Sequence, residues 1–304
     1  MEGWTRGVPL GQGTGWGVLA VMLAGMSPAG ADVAAREPAA RSEVVAPYTL
    51  AATEAVAVVL ASPTTPSAAG KCIFETLGTA RLSRVIDART LAFWDGREVR
   101  LAGLDILSHP EADAAEARGL AELLSGREIT LKRLGEERDR WGRPLVHLFW
   151  DENGRSRWLQ EEIVAAGRAR VTRVGDPICA AALYQREHSA RSAKLGLWAD
   201  PLYAIPQAED VSGILERRGR FAIVEGRIVS VRESGGTIYV NFGRRWSEDF
   251  TVTIAKRHER AFAAAGTAPN ALTGRLVRIR GWIEERGGPW VDATRPEQIE
   301  LVER

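Results

Sequence analysis

In the last third of this 304-residue chain, guanidinium groups recur beside aromatic rings. Tyr239, Phe242, Arg244, Arg245 and Trp246 crowd one short stretch. Arg278, Arg280 and Trp282 alternate, which puts all three on one face of a strand. Rings that stack bases beside cations that meet phosphates are the ingredients of a single-stranded nucleic-acid platform, with Tyr239, Trp246, Arg280 and Trp282 as its candidates. The same pattern fits the outside of a β-barrel, or a surface packed against a neighbouring domain. Other chemistries lack their residues: no His/Cys group has zinc spacing, no Gly-rich phosphate loop occurs, and there is no C-x-x-C. His109 beside Pro110 reads as a loop or capping residue, and His147 in LVHLFW as a strand residue.

Those residues need a scaffold, and the pattern along the chain supplies two. β-like alternation begins near Ala80 and is broken by Asp95-Gly96, a hairpin signal. A helix is expected over 111–124, with Ala114, Ala117, Ala121 and Leu124 on one face and Gly126 as its stop. The strands REITLKRL and LVHLFW follow, then helices over 160–166 and 180–195. Residues 201–218 read as a linker. From 219 to 304 the order is three strands, a short helix and two strands, the last being PEQIELV, which is the order of an oligonucleotide/oligosaccharide-binding (OB) barrel. The fold class is therefore α+β: strands wrapped into a barrel and followed by helices over 72–200, which the resemblance given below makes a five-stranded OB-type barrel, then a second OB-like barrel.

The formal net charge is +1, so no overall electrostatic pull toward nucleic acid or membrane exists. The N-terminus reads as an export signal over 1–31. Arg6 precedes the apolar run 16–26, and Ala29-Gly30-Ala31 offers a small-x-small cleavage site. This implies a periplasmic or secreted protein. Neither that run nor the apolar stretch 48–61 is long enough to span a bilayer, so no stable membrane span is expected once the signal is removed. Residues 32–71 read as an Ala/Pro-rich tether.

Three motifs carry more specific information: VIDARTL, VRLAGLD and DRWGRPL. With EEIVAAGRARV and the spacing of Leu183, Glu187, Ala190, Leu195 and Trp198, they occur in the order found in staphylococcal-nuclease-like (thermonuclease) domains, and residues 79–200 resemble that family. The resemblance implies phosphodiester hydrolysis of DNA or RNA with Ca²⁺ as cofactor. It puts Arg100 and Arg143 at the two transition-state arginines and Asp105 at a metal carboxylate, with Asp87 beside it. Such a site needs several oxygens around a hard cation and guanidinium forks for the developing charge.

Two departures from the family pattern follow. Asp87-Ala88-Arg89-Thr90 stands where the family has Asp-Gly-Asp-Thr, so Arg89 replaces a carboxylate. At about 5 Å and an effective dielectric of ~20, Arg89 would repel Ca²⁺ by roughly 6–7 kcal/mol. The family's Asp-x-Pro-Glu becomes Asp105-Ile106-Leu107-Ser108 in direct register. An insertion over 107–109 lets Pro110-Glu111 supply the acid instead, which makes Glu111 the candidate to activate water; a helix-start carboxylate is the other reading of Glu111. The resemblance therefore points to a weakened or lost nuclease. Its alternative is a non-catalytic module binding nucleic acid, phosphate or protein, with Arg89, Arg100 and Arg143 converging on an anion. Cys72 and Cys179 flank the nuclease-like domain, and in an oxidising compartment they are expected to form a disulfide.

Overall fold

The computed structural model describes residues 72–106, 110–245 and 247–302, without the side chains of Pro110, Glu111 and Ala112. The expected leader, the tether, Ser108, His109 and Trp246 lie outside the described residues, as does the side chain of Glu111. Everything described belongs to one compact unit, residues 58–304.

The first barrel opens with β1 (Glu75–Asp87), β2 (Thr90–Phe93) and β3 (Glu98–Leu101). Asp95 makes the β2–β3 turn: its carboxylate accepts from the Arg97 backbone N–H at 3.0 Å and from Arg97 Nε at 2.7 Å, while Gly96 takes φ +84°. A short β4 (Leu104–Ile106) leads to α1 (Pro110–Leu124), then β5 (Glu128–Arg133), β6 (Leu145–Glu152) and β7 (Arg155–Trp158). The sheet order is β3-β2-β1-β5-β6-β7, and β3 also pairs in parallel with β6, so five strands close on themselves. Leu91, Val99, Leu101, Ile129, Leu131, Val146 and Leu148 fill the interior.

Helix α1 turns Leu120 and Leu124 inward, while Ala114, expected on that face, is exposed. Leucines at i and i+4 have more apolar surface to bury than the alanines beside them. After the barrel come α2 (Leu159–Ala165), β8 (Ala169–Val171, paired with β4) and α3 (Pro177–Ser192). Helix α3 begins at Pro177, earlier than expected, because Asp176 caps it by accepting from Cys179 N at 2.9 Å and Pro177 suits the first turn. Gly167 (φ +68°) and Gly196 (φ +53°) meet backbone to backbone, where a Cβ on either would run into a carbonyl of the other segment.

Residues 201–218 are folded rather than extended. Ala208 donates to Glu225 O at 2.7 Å, and α4 (Val211–Leu215), capped by Asp210, buries Ile214. The second barrel comprises β9 (Phe221–Arg227), β10 (Ser230–Ser234), β11 (Thr237–Asn241), β12 (Thr251–Ala255), α5 (Glu259–Ala264), β13 (Leu276–Trp282), β14 (Glu284–Arg286) and β15 (Gly288–Asp292). Strands β9 and β10 are halves of one bent strand, as are β13 and β14. Parallel pairing of β12 with β15 closes the ring as β3–β6 closes the first.

PEQIELV is not the closing strand. Its β16 (Ile299–Leu301) lies outside, paired with β13, and β15 closes the barrel. The sequence GGPW hides β15, yet Gly287 and Gly288 are needed there, since a Cβ would strike the carbonyls of Ser247 and Glu248. Among the described residues no helix is long and apolar enough to cross a membrane.

Candidate anion site at the corner of the first barrel

The β1–β2 corner is pinned from two sides. Asp87 accepts from the Arg89 backbone N–H at 2.7 Å, and Asp113, reaching from α1, accepts from Ala88 N at 3.0 Å. The Asp113 contact was not foreseen; its only sequence signal is a position near the start of α1, beside the corner. Ala88 is buried, whereas the Arg89 side chain is half-buried and makes no hydrogen bond or ion pair among the described residues.

Register places Arg100 opposite Thr90, and Arg100 Nη1 donates to Thr90 Oγ1 at 3.2 Å. Burial lowers the Arg100 pKa below the ordinary arginine value; the neighbouring Arg89 and Arg143 charges push the same way, against Asp87 and Asp139. Arg100 is thus close enough to both Arg89 and Arg143 to feel their charges, and the backbone ties the three segments together: Leu101 N donates to Arg89 O at 2.8 Å and Arg100 N to Pro144 O at 3.0 Å. Arg143 is held by Asp139, whose Oδ2 accepts from Nε and Nη2 at 2.7 Å each, and it lies 4.7 Å over the Trp141 ring. Burial opposes ionisation of Asp139, but the bonds from Arg143 and from the Trp141 N–H outweigh it and hold the carboxyl below its usual range. This Arg143 is an oriented cation with an exposed indole beside it.

Asp105 is turned elsewhere. In the β4–β8 pair it faces Arg170, and its Oδ2 accepts from Arg170 Nε at 3.0 Å and Nη2 at 2.6 Å. Arg170 Nη2 also donates to Phe221 O at 2.9 Å, and the guanidinium lies over the Tyr203 and Phe221 rings. The expected metal carboxylate is therefore tied to a contact between the barrels.

Calcium takes six to eight oxygens. Here Asp105 is engaged by Arg170, Asp87 by its own turn, and the side chain beside them at position 89 is a cation. No three His, Cys, Asp or Glu side chains among the described residues are grouped to hold a metal. The described residues do not fit the ion.

The platform residues separate. Arg280 is not at the surface: it is 1% exposed, bonded to the fully buried Glu187 (Nη2–Oε2 2.5 Å), to Glu300 and to Val171 O, beneath the Tyr184 ring at 4.0 Å. Burial opposes the Arg280 charge, but Glu187 and its neighbours raise its pKa further. With Arg278, which pairs with Glu225 and Glu300, it lies on the β13 face that meets the first domain, the last of the three readings open from sequence. Trp282, at the end of the same strand, stays exposed. On the opposite sheet Tyr239 meets Trp290 edge-on at 6.0 Å, and Arg286 stacks over Trp290; this tryptophan was missed because it lies in the hidden strand β15.

Cys72 and Cys179 are thiols side by side, and a hydrogen bond between them lowers the Cys72 pKa. His147 is wholly buried in β6, as a strand residue.

With this geometry in place, comparison with known proteins gives two findings. Residues 99–200 match the family model described as staphylococcal nuclease homologue; the corner carrying Asp87 and Arg89 lies ahead of the match. No curated protein matches the chain.

Proposed function

We propose that this chain, whose residues 99–200 are a staphylococcal nuclease homologue domain, binds the phosphodiester backbone of nucleic acid at Arg89, Arg100 and Arg143 without calcium, with hydrolysis weak or lost. The observation that supports this reading is the pairing of the segment carrying Arg89 with the strand carrying Arg100, Leu101 N donating to Arg89 O at 2.8 Å, while Asp105 is held by Arg170. Planar guanidinium groups meet phosphate oxygens in pairs and stay charged when partly buried. Arg100 and Arg143 are oriented by Thr90 and Asp139, whereas Arg89 is unengaged among the described residues. The apolar leader supports a place outside the cytosol, in the periplasm or beyond.

The test is anisotropy of labelled single-stranded DNA and RNA with the full chain, in chelator and in calcium, alongside a cleavage assay. Binding is expected in chelator, weakened by Arg89→Ala and by Arg100→Ala, with a log–log salt slope of about −0.7 per phosphate contacted. Calcium-dependent binding, or strong chelator-sensitive cleavage, would overturn it in favour of an active nuclease that uses Glu111.

A further inference from the structure

Next to the arginine cluster, where the two barrels meet, lies a cleft of about 110 Å³. Arg89 lines it from the first barrel, Thr172 and Arg173 from the segment after β8, and Phe221 and Trp282 from the second barrel. Asp105 and Arg280 also face it, but each is already neutralised, by Arg170 and by Glu187 with Glu300. That leaves Arg89 and Arg173, neither of whose side chains makes a hydrogen bond or ion pair among the described residues. Among the described residues the cleft therefore carries uncompensated positive charge.

Its size limits what enters. Pockets that enclose a whole small molecule run from about 300 Å³ upward. This one takes a single phosphate group and leaves an attached nucleoside outside. At the rim stands Trp282, 58% exposed although its backbone is fixed in β13 opposite Phe221. The buried Arg280–Glu187 pair fixes the distance between the walls.

We infer that the cleft is a second contact for single-stranded nucleic acid: one phosphate sits between Arg89 and Arg173, and the adjoining base stacks on Trp282. A strand leaving the Arg89, Arg100 and Arg143 cluster is carried onto the second barrel. The inference rests on the phosphate-binding reading above. It requires a single strand, because a duplex keeps its base faces stacked on one another and offers an indole only edges and backbone.

The experiment measures binding of an oligothymidylate of about 12 nucleotides, within the usual site size of such folds, and of a duplex of equal length. Native chain is compared with Trp282→Ala, Trp282→Phe, Arg173→Ala and Arg100→Ala, all in chelator and with melting temperatures checked. Trp282→Ala should weaken single-strand binding about tenfold and leave duplex binding unchanged, and Trp282→Phe should restore most of it. Arg173→Ala should lower the salt slope by about one contact. If Arg100→Ala weakens binding while Trp282→Ala and Arg173→Ala bind like the native chain, the cleft proposal falls and the arginine-cluster reading stands. Equal loss on strand and duplex with Trp282→Ala also overturns it. No binding by the native chain removes both.

Discussion

Asp105 and Arg170 face each other across the short β4–β8 pair, and one carboxylate oxygen accepts both Nε at 3.0 Å and Nη2 at 2.6 Å. The same guanidinium holds Phe221 O of the second barrel, so the ion pair that occupies Asp105 is also part of a contact between the barrels. Arg89→Asp alone removes the repulsive charge but leaves Asp105 engaged. Calorimetry should therefore find at most weak calcium binding in Arg89→Asp and tighter binding in Arg89→Asp with Arg170→Gln. Arg170→Gln should lower stability by up to about 3 kcal/mol, since it strands a partly buried carboxylate. Tight binding by Arg89→Asp alone would show that Asp105 releases Arg170 without cost.

The contact between barrels has a second, drier component in Arg280 and Glu187. Glu187 Oε1 also accepts from Val171 N at 2.7 Å, so the pair is built into both domains. Arg280→Met should destabilise by about 3–5 kcal/mol, because Glu187 is left charged and unpaired in a dry interface. Arg280→Met with Glu187→Leu should recover most of that loss. Urea unfolding of the four proteins in the cycle checks this; a cost under about 1 kcal/mol for the single change would show that the interface does not depend on the pair.

The thiols of Cys72 and Cys179 lie together, and a hydrogen bond favours the Cys72 thiolate, the form that attacks a disulfide. Oxidation should close a loop of roughly 100 residues and raise stability by up to about 4–5 kcal/mol. Thiol titration of protein recovered from an oxidising compartment should find no free thiol, and reductant should lower its melting temperature. Two titratable thiols in that protein would refute the bond.

Legibility from sequence followed the range of the interaction. The Asp95-Gly96 hairpin and the stops at Gly126 and Gly167 are local, and they stand where the residues put them. Arg100 and Arg143 lie in motifs whose own strands and turns orient them. The ion pair of Asp105 was not legible because Arg170 is 65 residues away and nothing near Asp105 announces it. Arg280 has its partner 93 residues away, and period-2 alternation is identical for a solvent face and a domain interface. Strand β15 was hidden because close backbone approach selected glycines, which weaken any strand pattern.

His147 offers a test by pH. It is fully buried in β6, with the Phe74 ring 5.1 Å and the Trp158 ring 5.5 Å away, and burial pushes its pKa down to about 4. In the unfolded chain the group titrates near 6.5. Between those values the unfolded state binds the extra proton, so stability rises with pH there. The contribution is complete above about pH 6.5 and is lost as pH falls toward 4. Integrating from neutral pH to pH 5, the loss is roughly 2 kcal/mol. Buried carboxylates also contribute to acid unfolding, so the comparison must be with His147→Leu, which keeps the site apolar and removes the titration. Urea unfolding from pH 7.5 to 5 should show a shallower fall for His147→Leu by about that amount. Parallel curves for the two proteins would mean that His147 gains its proton without unfolding, and that the aromatic pocket around it admits water.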